Sequence, residues 1–272
     1  MVENTKRINT FRIRQGRINL RAESRQQLVL RNNLEKNFFK KLNTLFRKFL
    51  RVNMYLYSEF GIYQKEVAAE NLNEDFFPLM LSHYKRTFQA IYKFNEDKYN
   101  MMRKADDTFV FGRSVDIELI INEYFNGRQL ILAGITERMA TRISKLIEQG
   151  RADNLTLAQI TKLVSDNFLP ISRSRAALIA RTETHSAASF ASHSYHAVLM
   201  NDTGTKMLKK WVATGDARTR SAHSAANGQT VDMNEDFTVG GMPMGFAGDT
   251  RGGSKNVINC RCIIVYADER DM

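Results

Sequence analysis

Two cysteines and one histidine are the residues with the clearest potential for chemistry. Cys260 and Cys262 are separated by a single residue, and His223 lies 37 positions upstream of Cys260. Thiolate and imidazole are preferred zinc ligands, and Asp216 could add a carboxylate oxygen, so these four residues form a candidate zinc site. On a regular strand, residues i and i+2 are about 6.6 Å apart. Two thiolates on one tetrahedral zinc lie about 3.8 Å apart, so the chelate requires a bend at Arg261.

A second interpretation of the cysteines needs no metal. If the segment is a regular strand, Cys260, Cys262 and Ile264 line its core face as buried thiols, and Arg261 points away. The sequence therefore predicts a protein without a cofactor, with zinc as the open alternative.

Asp216 opens a turn-forming stretch that ends at His223, and this stretch allows two interpretations. As chemistry, Asp216 and His223 could be an acid–base pair or metal ligands, joined by Glu235 and Glu183 in a metal-dependent nuclease or a transferase. Carboxylates near His223 are few, whereas two-metal nuclease sites need several. We therefore expect no enzyme.

The structural interpretation assigns these polar residues to the fold. Asp216 would cap its own turn, and Arg218 or Arg220 would pair with an acid such as Glu183. Arg181 and Glu183 lie on a helix rich in alanine and serine, where we expect a buried ion pair that orients the helix.

The positive charge is concentrated at the N-terminus. Residues 1–60 contain fourteen Lys or Arg and four acids, a net charge of +10, within a chain whose total is +11. Such a segment suits packaged DNA or an acidic protein surface, although it could also be a solvated helix face. No base-reading motif accompanies the charge, so we expect no sequence-specific DNA recognition. The residues expected to contact the partner are Arg12, Arg14, Arg17, Arg21, Arg25, Lys40, Lys41, Arg47 and Lys48.

The composition excludes several classes of protein. No apolar run approaches the roughly 18–20 residues that span a bilayer, so we expect no membrane partner. The N-terminus lacks the apolar stretch of a secretory signal, and two cysteines cannot form a disulfide framework. We therefore expect synthesis in a reducing cytosol.

Hydrophobic spacing predicts the elements that must position these residues. Apolar residues recur every three or four positions from Leu34 to Leu56, which predicts a helix over 25–60 that Gly61 ends. The stripe fits an ordinary core helix as well as a surface that docks on another protein. Further helices are predicted over 77–102, 114–149, 156–169 and 172–199, with Gly150 and Pro170 as helix ends. Strands are predicted over 206–213 and 257–266, with a non-helical glycine-rich loop over 240–253.

These elements define an α+β fold that is mostly helical. Long N-terminal helices precede a C-terminal module of a helix and a small β-sheet. The predicted organisation is a basic extended arm over 1–24, a helical region over 25–124 and the C-terminal module over 125–272.

Several short motifs occur in a fixed order in the last third of the chain. They are Ala180-Arg181-Thr182-Glu183, Trp211, Asp216-Ala217-Arg218-Thr219-Arg220, His223, Gly228, Phe237, Gly248-Asp249 and Asn259-Cys260-Arg261-Cys262. This order resembles the phage head-morphogenesis family, the Mu protein F-like minor capsid proteins, over residues 125–266. One departure is local: relatives often have a proline before the Gly-Asp pair, where this chain has Ala247.

The resemblance implies a structural minor capsid protein of a tailed phage or prophage. Its partners would be the portal protein and the major capsid or scaffolding protein, with non-specific contact to packaged DNA. It would be located in the virion head near the portal, and in the host cytoplasm during procapsid assembly. The alternative is an enzyme injected with the DNA.

Overall fold

The computed structural model describes residues 20–101 and 116–269 of the chain. Arg12, Arg14 and Arg17 lie outside the described residues, as does most of the predicted arm. The helices are α1 Leu20–Phe60, α2 Lys65–Met101, α3 Ile117–Asn126, α4 Gln129–Ala152, α5 Leu157–Thr203, α6 Ser221–Ala226 and α7 Gly253–Val257. The strands are β1 Met207–Val212, β2 Thr230–Asp232, β3 Phe237–Val239, β4 Met242–Met244 and β5 Ile263–Asp268. The predicted α+β, mostly helical fold is confirmed.

The chain divides into two compact units. The first, which we call the helical unit, comprises residues 32–87 and 117–184. The second, the mixed unit, comprises the described residues 20–31, 88–101, 116 and 185–269. Helices α1, α2 and α5 each contribute one segment to each unit. None of the helices in the described ranges combines the length and apolar character needed to cross a lipid bilayer.

Helix α1 buries most of its apolar stripe within the helical unit. Leu34, Phe38, Leu42, Leu45 and Phe49 are buried as the spacing predicts. Beyond residue 50 the buried positions are 54 and 57 instead of 52 and 56, and helical geometry puts these on a different side of the helix. The stripe as far as Phe49 is therefore core and is not available for docking.

The end of α1 presents apolar side chains to solvent. Val52 and Leu56 are 46% and 42% exposed, and Met54 and Tyr57 are buried in their place. Gly61 ends the helix with a φ of +63°, as predicted, and its N–H donates to the Tyr57 carbonyl at 2.8 Å.

Two proline residues lie inside helices. The predicted end of a helix at Pro170 is wrong, since α5 runs unbroken from Leu157 to Thr203. The proline removes one hydrogen bond, which costs about 3 kcal/mol. Fully buried Phe168 and Ala176 flank the exposed proline, so packing on both sides keeps the two halves in one helix. Likewise α2 begins at Lys65, well before Pro78.

Helices α3 and α4 are separated at Gly127 and Arg128, where the sequence contains an Asn-Gly pair. The predicted helix end is wrong by three residues, since the helix was expected to end at 149 with Gly150 as its cap and instead ends at Ala152. Gly150 instead permits close packing, because a Cβ there would lie 2.7 Å from the Ile160 side chain.

The next helix, α5, starts with the predicted capping box. The Thr156 N–H donates to Gln159 Oε1 at 2.8 Å, and the Gln159 N–H donates to Thr156 Oγ1 at 3.3 Å.

The mixed unit contains a three-stranded antiparallel sheet in the order β2-β1-β5 and a β3-β4 hairpin. Strand β1 matches the prediction, with Met207, Lys209 and Trp211 buried on one face. Trp211 pairs with Ile264 of β5. The strand predicted over 257–266 is wrong in its first half, because α7 ends at Val257 and β5 begins only at Ile263.

The glycine-rich loop packs against α5 at Gly248. This glycine has a φ of +91°, and a Cβ there would lie 2.4 Å from Ser186 Oγ and 2.8 Å from Ser186 Cα. Gly241 has a similar φ of +79° but nothing within 4 Å of the Cβ position. Alanine substitutions at these two glycines therefore distinguish the cost of backbone strain from the cost of a steric clash.

We predict that Gly248→Ala lowers the free energy of unfolding by about 3 kcal/mol, and Gly241→Ala by only about 1 kcal/mol. Both substitutions strain a left-handed residue, but only Gly248→Ala forces a methyl group into α5. Urea denaturation followed by circular dichroism measures both. Equal losses would show that the Gly248 contact contributes nothing beyond backbone strain.

Candidate functional site

His223, Cys260 and Cys262 converge in the mixed unit. His223 Nδ1 lies 3.3 Å from Cys262 Sγ and 3.6 Å from Cys260 Sγ. One ligand atom from each residue can be chosen such that all three lie within 4.8 Å of one another, and all three residues are buried. The sequence placed these residues in one candidate site, and the fold brings three of its four members together.

Local backbone structure explains the convergence. Cys260 and Cys262 precede β5, so they do not follow a regular strand and their thiols can turn towards one another. Asn259 has a left-handed φ of +64°, a conformation that asparagine tolerates better than most residues. On the other side, the Arg220 guanidinium donates to the Ile258 carbonyl at 2.6 Å and so ties the start of α6 to this segment.

The two thiols shift each other's pKa in opposite directions. The hydrogen bond from the Cys262 thiol, assisted by His223, holds the pKa of Cys260 well below its usual range even though burial opposes this. The same bond and burial raise the pKa of Cys262 far above its usual range. Cys260 is therefore the thiol of the pair that loses its proton more readily, and the thiolate is the form of cysteine that binds metals.

A buried arginine lies in the same unit. Arg31 is fully buried and donates to Ser189 Oγ at 2.9 Å and to Gln27 Oε1 at 3.0 Å. Burial lowers the pKa of Arg31 to about 10, while Tyr266 and the two cysteines act in the opposite direction. Arg31 is one of the fourteen basic residues in the count for residues 1–60, but it is a core residue.

Asp216 lies outside the three-residue cluster. Its carboxylate accepts two hydrogen bonds from the Arg261 guanidinium, at 2.7 and 2.9 Å. It also accepts from the Arg218 N–H at 3.1 Å and from Thr219 Oγ1 at 3.2 Å, which closes its own turn. These donors, Arg261 first, hold the pKa of Asp216 well below its usual range, so it is a permanent anion with a structural partner.

The remaining motif residues around the cluster are packing and turn residues. Trp211 is fully buried, with its ring centroid 5.8 Å from that of His223 and 5.3 Å from that of Phe237. Arg218 is exposed and contacts Asp216 at 3.4 Å. Glu235 accepts a hydrogen bond from the Asp232 N–H at 3.3 Å.

Glu183 forms a buried ion pair in the helical unit. Its carboxylate accepts from Arg128 Nε at 2.7 Å and Nη2 at 2.6 Å, and from the Tyr84 hydroxyl at 2.5 Å. Burial would lower the pKa of Arg128, but Glu183 more than offsets this and holds it well above its usual range. Burial and the Glu183 charge raise the pKa of Tyr84.

Arg181 has a different partner from Glu183. Its guanidinium donates to Glu35 at 3.1 Å, at a partly exposed position. Residues i and i+2 of a helix do not face each other, so Arg181 and Glu183 point to different sides of α5. The pairing of Glu183 with Arg218 or Arg220 that the sequence suggested is not formed, because Arg128 occupies that carboxylate.

Several motif residues have partners that their sequence positions do not reveal. Arg251 bridges Asp236, at 2.7 and 2.8 Å, and Asp249, at 2.6 Å, and so fixes the glycine-rich loop. Lys209 is buried and donates to the Gly245 carbonyl at 2.8 Å, and burial lowers its pKa to about 8. The one available signal was the alternation of β1, which puts Lys209 on the same face as Met207 and Trp211.

A basic pocket in the helical unit was also not foreseen. Arg138, Arg142 and Lys145 of α4 line it together with Arg175 of α5. All four side chains are exposed at this surface. Their spacing of three or four residues puts the α4 members on one helix face.

Comparisons with known proteins agree with the motif order. Residues 137–265 match the family described as phage Mu protein F like protein. The minor head protein GP7 of Bacillus phage SPP1 is 26% identical over 266 residues, which cover 90% of this chain and 82% of that protein. The NAD(+)–arginine ADP-ribosyltransferase EFV of Enterococcus faecalis is 28% identical over 133 residues, which cover 47% of this chain and 26% of the enzyme. No solved structure matches the chain.

We predict that Glu183→Gln lowers the free energy of unfolding by about 3–5 kcal/mol, because it leaves the Arg128 charge buried and unpaired. Glu35→Gln is the matched control: its pair with Arg181 is partly exposed, so the loss is about 1 kcal/mol or less. Urea denaturation of both variants gives the comparison. A loss of similar size in the two variants would contradict the assignment of Glu183 as the central buried charge.

Proposed function

We propose, from the membership of residues 137–265 in the phage Mu protein F-like family, that this chain is a structural minor head protein of a tailed phage or prophage. The observation that carries the proposal is the alignment with the SPP1 minor head protein, which extends over nine-tenths of this chain and most of the relative. The likeness therefore includes the N-terminal helices as well as the C-terminal motifs. The chain would act in the virion head and associate with the portal protein during procapsid assembly.

The positions of the acidic residues favour a scaffold over an enzyme. Asp216 is bonded to Arg261, and Glu183 is bonded to Arg128 within the helical unit. Glu235 accepts from the backbone of its own turn. The carboxylates that a nuclease or transferase would require are thus each engaged in a structural contact. The match to the ADP-ribosyltransferase covers about a quarter of that enzyme, so it supports a shared segment more than a shared activity.

The connection between α1 and α2 offers a docking surface for another head protein. Leu56, Phe60, Ile62 and Val67 are 42%, 67%, 61% and 45% exposed. These four line one pocket together with Tyr63. We call this set the hairpin patch. Exposed apolar side chains grouped in this way are typical of protein–protein contact sites, and we assign the patch to the portal protein.

The exposed side of α1 offers a second surface, for DNA or an acidic protein. Lys40, Lys41, Arg47 and Lys48 are all exposed, and helical geometry puts them on one face, which we call the basic face. Lys48 contacts Asp75 at 2.7 Å at an exposed position. Arg21 and Arg25, near the start of α1, are also exposed.

We predict that Phe60→Ser with Ile62→Ser reduces incorporation of the protein into heads at least about tenfold, because exposed apolar anchors carry most of the energy of such contacts. Leu119→Ser with Leu130→Ser is the control, since these two side chains of the same unit are 56% and 90% exposed outside the patch. Quantitative immunoblotting of purified heads from complemented infections gives the readout. Normal incorporation of the Phe60 and Ile62 variant would remove the patch from the proposal.

We predict that replacing the four cations of the basic face with glutamine weakens binding to double-stranded DNA and reduces the salt dependence of that binding. The control replaces the four cations of the basic pocket, Arg138, Arg142, Lys145 and Arg175, and so removes the same charge from the same unit. Fluorescence anisotropy against salt concentration measures both. Equal weakening would mean that net charge, and not the basic face, determines the affinity.

A deletion limited to residues 1–19 tests the N-terminal arm more specifically than a deletion through residue 60. Residues 32–60 supply buried side chains to the helical unit, so a deletion through residue 60 would test folding together with binding. Removal of residues 1–19 leaves every described residue in place.

A further inference from the structure

We propose that the mixed unit binds one zinc ion through His223 Nδ1, Cys260 Sγ and Cys262 Sγ, and that this zinc has a structural role. It ties α6 to the segment that enters β5. The inference is independent of head assembly and would hold whatever partner the protein has.

The distances between the donor atoms fit tetrahedral coordination. With Zn–S bonds of about 2.3 Å and Zn–N bonds of about 2.0–2.1 Å, a nitrogen and a sulfur on the same ion lie about 3.6 Å apart. His223 Nδ1 lies 3.3 Å from Cys262 Sγ and 3.6 Å from Cys260 Sγ. The two sulfurs lie within 4.8 Å of one another, against about 3.8 Å on one zinc, so the thiols need to approach each other by at most about 1 Å.

The two cysteines do not have the separation of a regular strand. Such a strand would hold them about 6.6 Å apart, too far for one zinc. Here both cysteines lie before β5, and their sulfur atoms lie within 4.8 Å of one another. Burial of two thiols on a core face needs no such approach, because a regular strand buries alternate side chains at its own spacing. The shorter separation thus favours a metal site over simple packing.

The charges are also those of a zinc site. Zinc binds cysteine as the thiolate, so both thiols release their protons to solvent when the ion binds. Two thiolates and a neutral imidazole around Zn²⁺ make a neutral centre, which suits a buried position. Among the described residues the cluster offers three protein ligands, so a tetrahedral ion would take its fourth ligand from outside this set.

Elemental analysis tests the proposal on the full-length protein purified without chelator. We expect one zinc per chain in the wild type, and a loss of at least about tenfold in Cys260→Ser, Cys262→Ser and His223→Gln because three-ligand sites lose affinity steeply with each ligand. Asp216→Asn is the matched control and retains its zinc, because that carboxylate is bonded to Arg261.

A second measurement covers variants that fail to fold. Wild-type protein stripped of metal and titrated with Co²⁺ should develop a thiolate-to-cobalt charge-transfer band and the visible absorption of tetrahedral cobalt. Restoring zinc should raise the melting temperature by roughly 5 °C.

Three outcomes would overturn the proposal. The first is a wild type that contains no zinc and gives no cobalt–thiolate band. The second is zinc that persists unchanged in the cysteine variants. The third is a Cys260–Cys262 disulfide, found by mass spectrometry as a pair that resists alkylation until reduced. Failure of head incorporation with normal zinc content would affect the proposed function alone.

Discussion

A carboxylate removed from water must be neutralised, and the helical unit is organised around this requirement at Glu183. Transfer of an unpaired carboxylate into the protein interior costs several kcal/mol even after the surroundings relax. The fold meets that cost with two hydrogen bonds from Arg128 and one from Tyr84. Arg128 lies at the break before α4, Tyr84 on α2 and Glu183 on α5. The start of α4 and the register of two long helices therefore depend on one buried charge.

Of the buried pair formed by Glu183 and Arg128, the sequence identified only Glu183. Glu183 lies within a recognisable motif on a helix rich in small residues, so its burial could be predicted. Arg128 is 55 positions away and follows an Asn-Gly pair that indicates only a possible break in the helix predicted over 114–149. Hydrophobic spacing reports the face a residue occupies, but not which distant residue meets it. The same limit applies to Asp216 and Arg261, and to Arg251 with its two aspartates.

The most accurate predictions were those of features that depend on a few neighbouring residues. Gly61 ended α1, Thr156 and Gln159 formed a capping box, and β1 buried alternate side chains. Pro170 was misinterpreted because the cost of a proline in a helix is only about 3 kcal/mol, which packing can exceed. The start of β5 was placed too early because apolar, β-branched residues such as Val257 fit a short helix as well as a strand. At Pro170 and at Val257, tertiary packing decided between two locally acceptable structures.

The motif that indicates the family is a set of structural contacts rather than a constellation of reacting groups. In the helical unit, Arg181 and Glu183 each have an ion-pair partner. In the mixed unit, Asp216 closes a turn and holds Arg261, Trp211 packs on His223 and Phe237, and Asp249 holds Arg251. Catalytic acids and bases need access to a substrate, and a carboxylate saturated by arginine provides neither a proton nor a free lone pair. His223, Cys260 and Cys262 differ from this pattern because their donor atoms face one another at metal-binding distances. The motif residues thus belong to a fold held by ion pairs. His223, Cys260 and Cys262 are the set that a metal ion, instead of a salt bridge, would hold together.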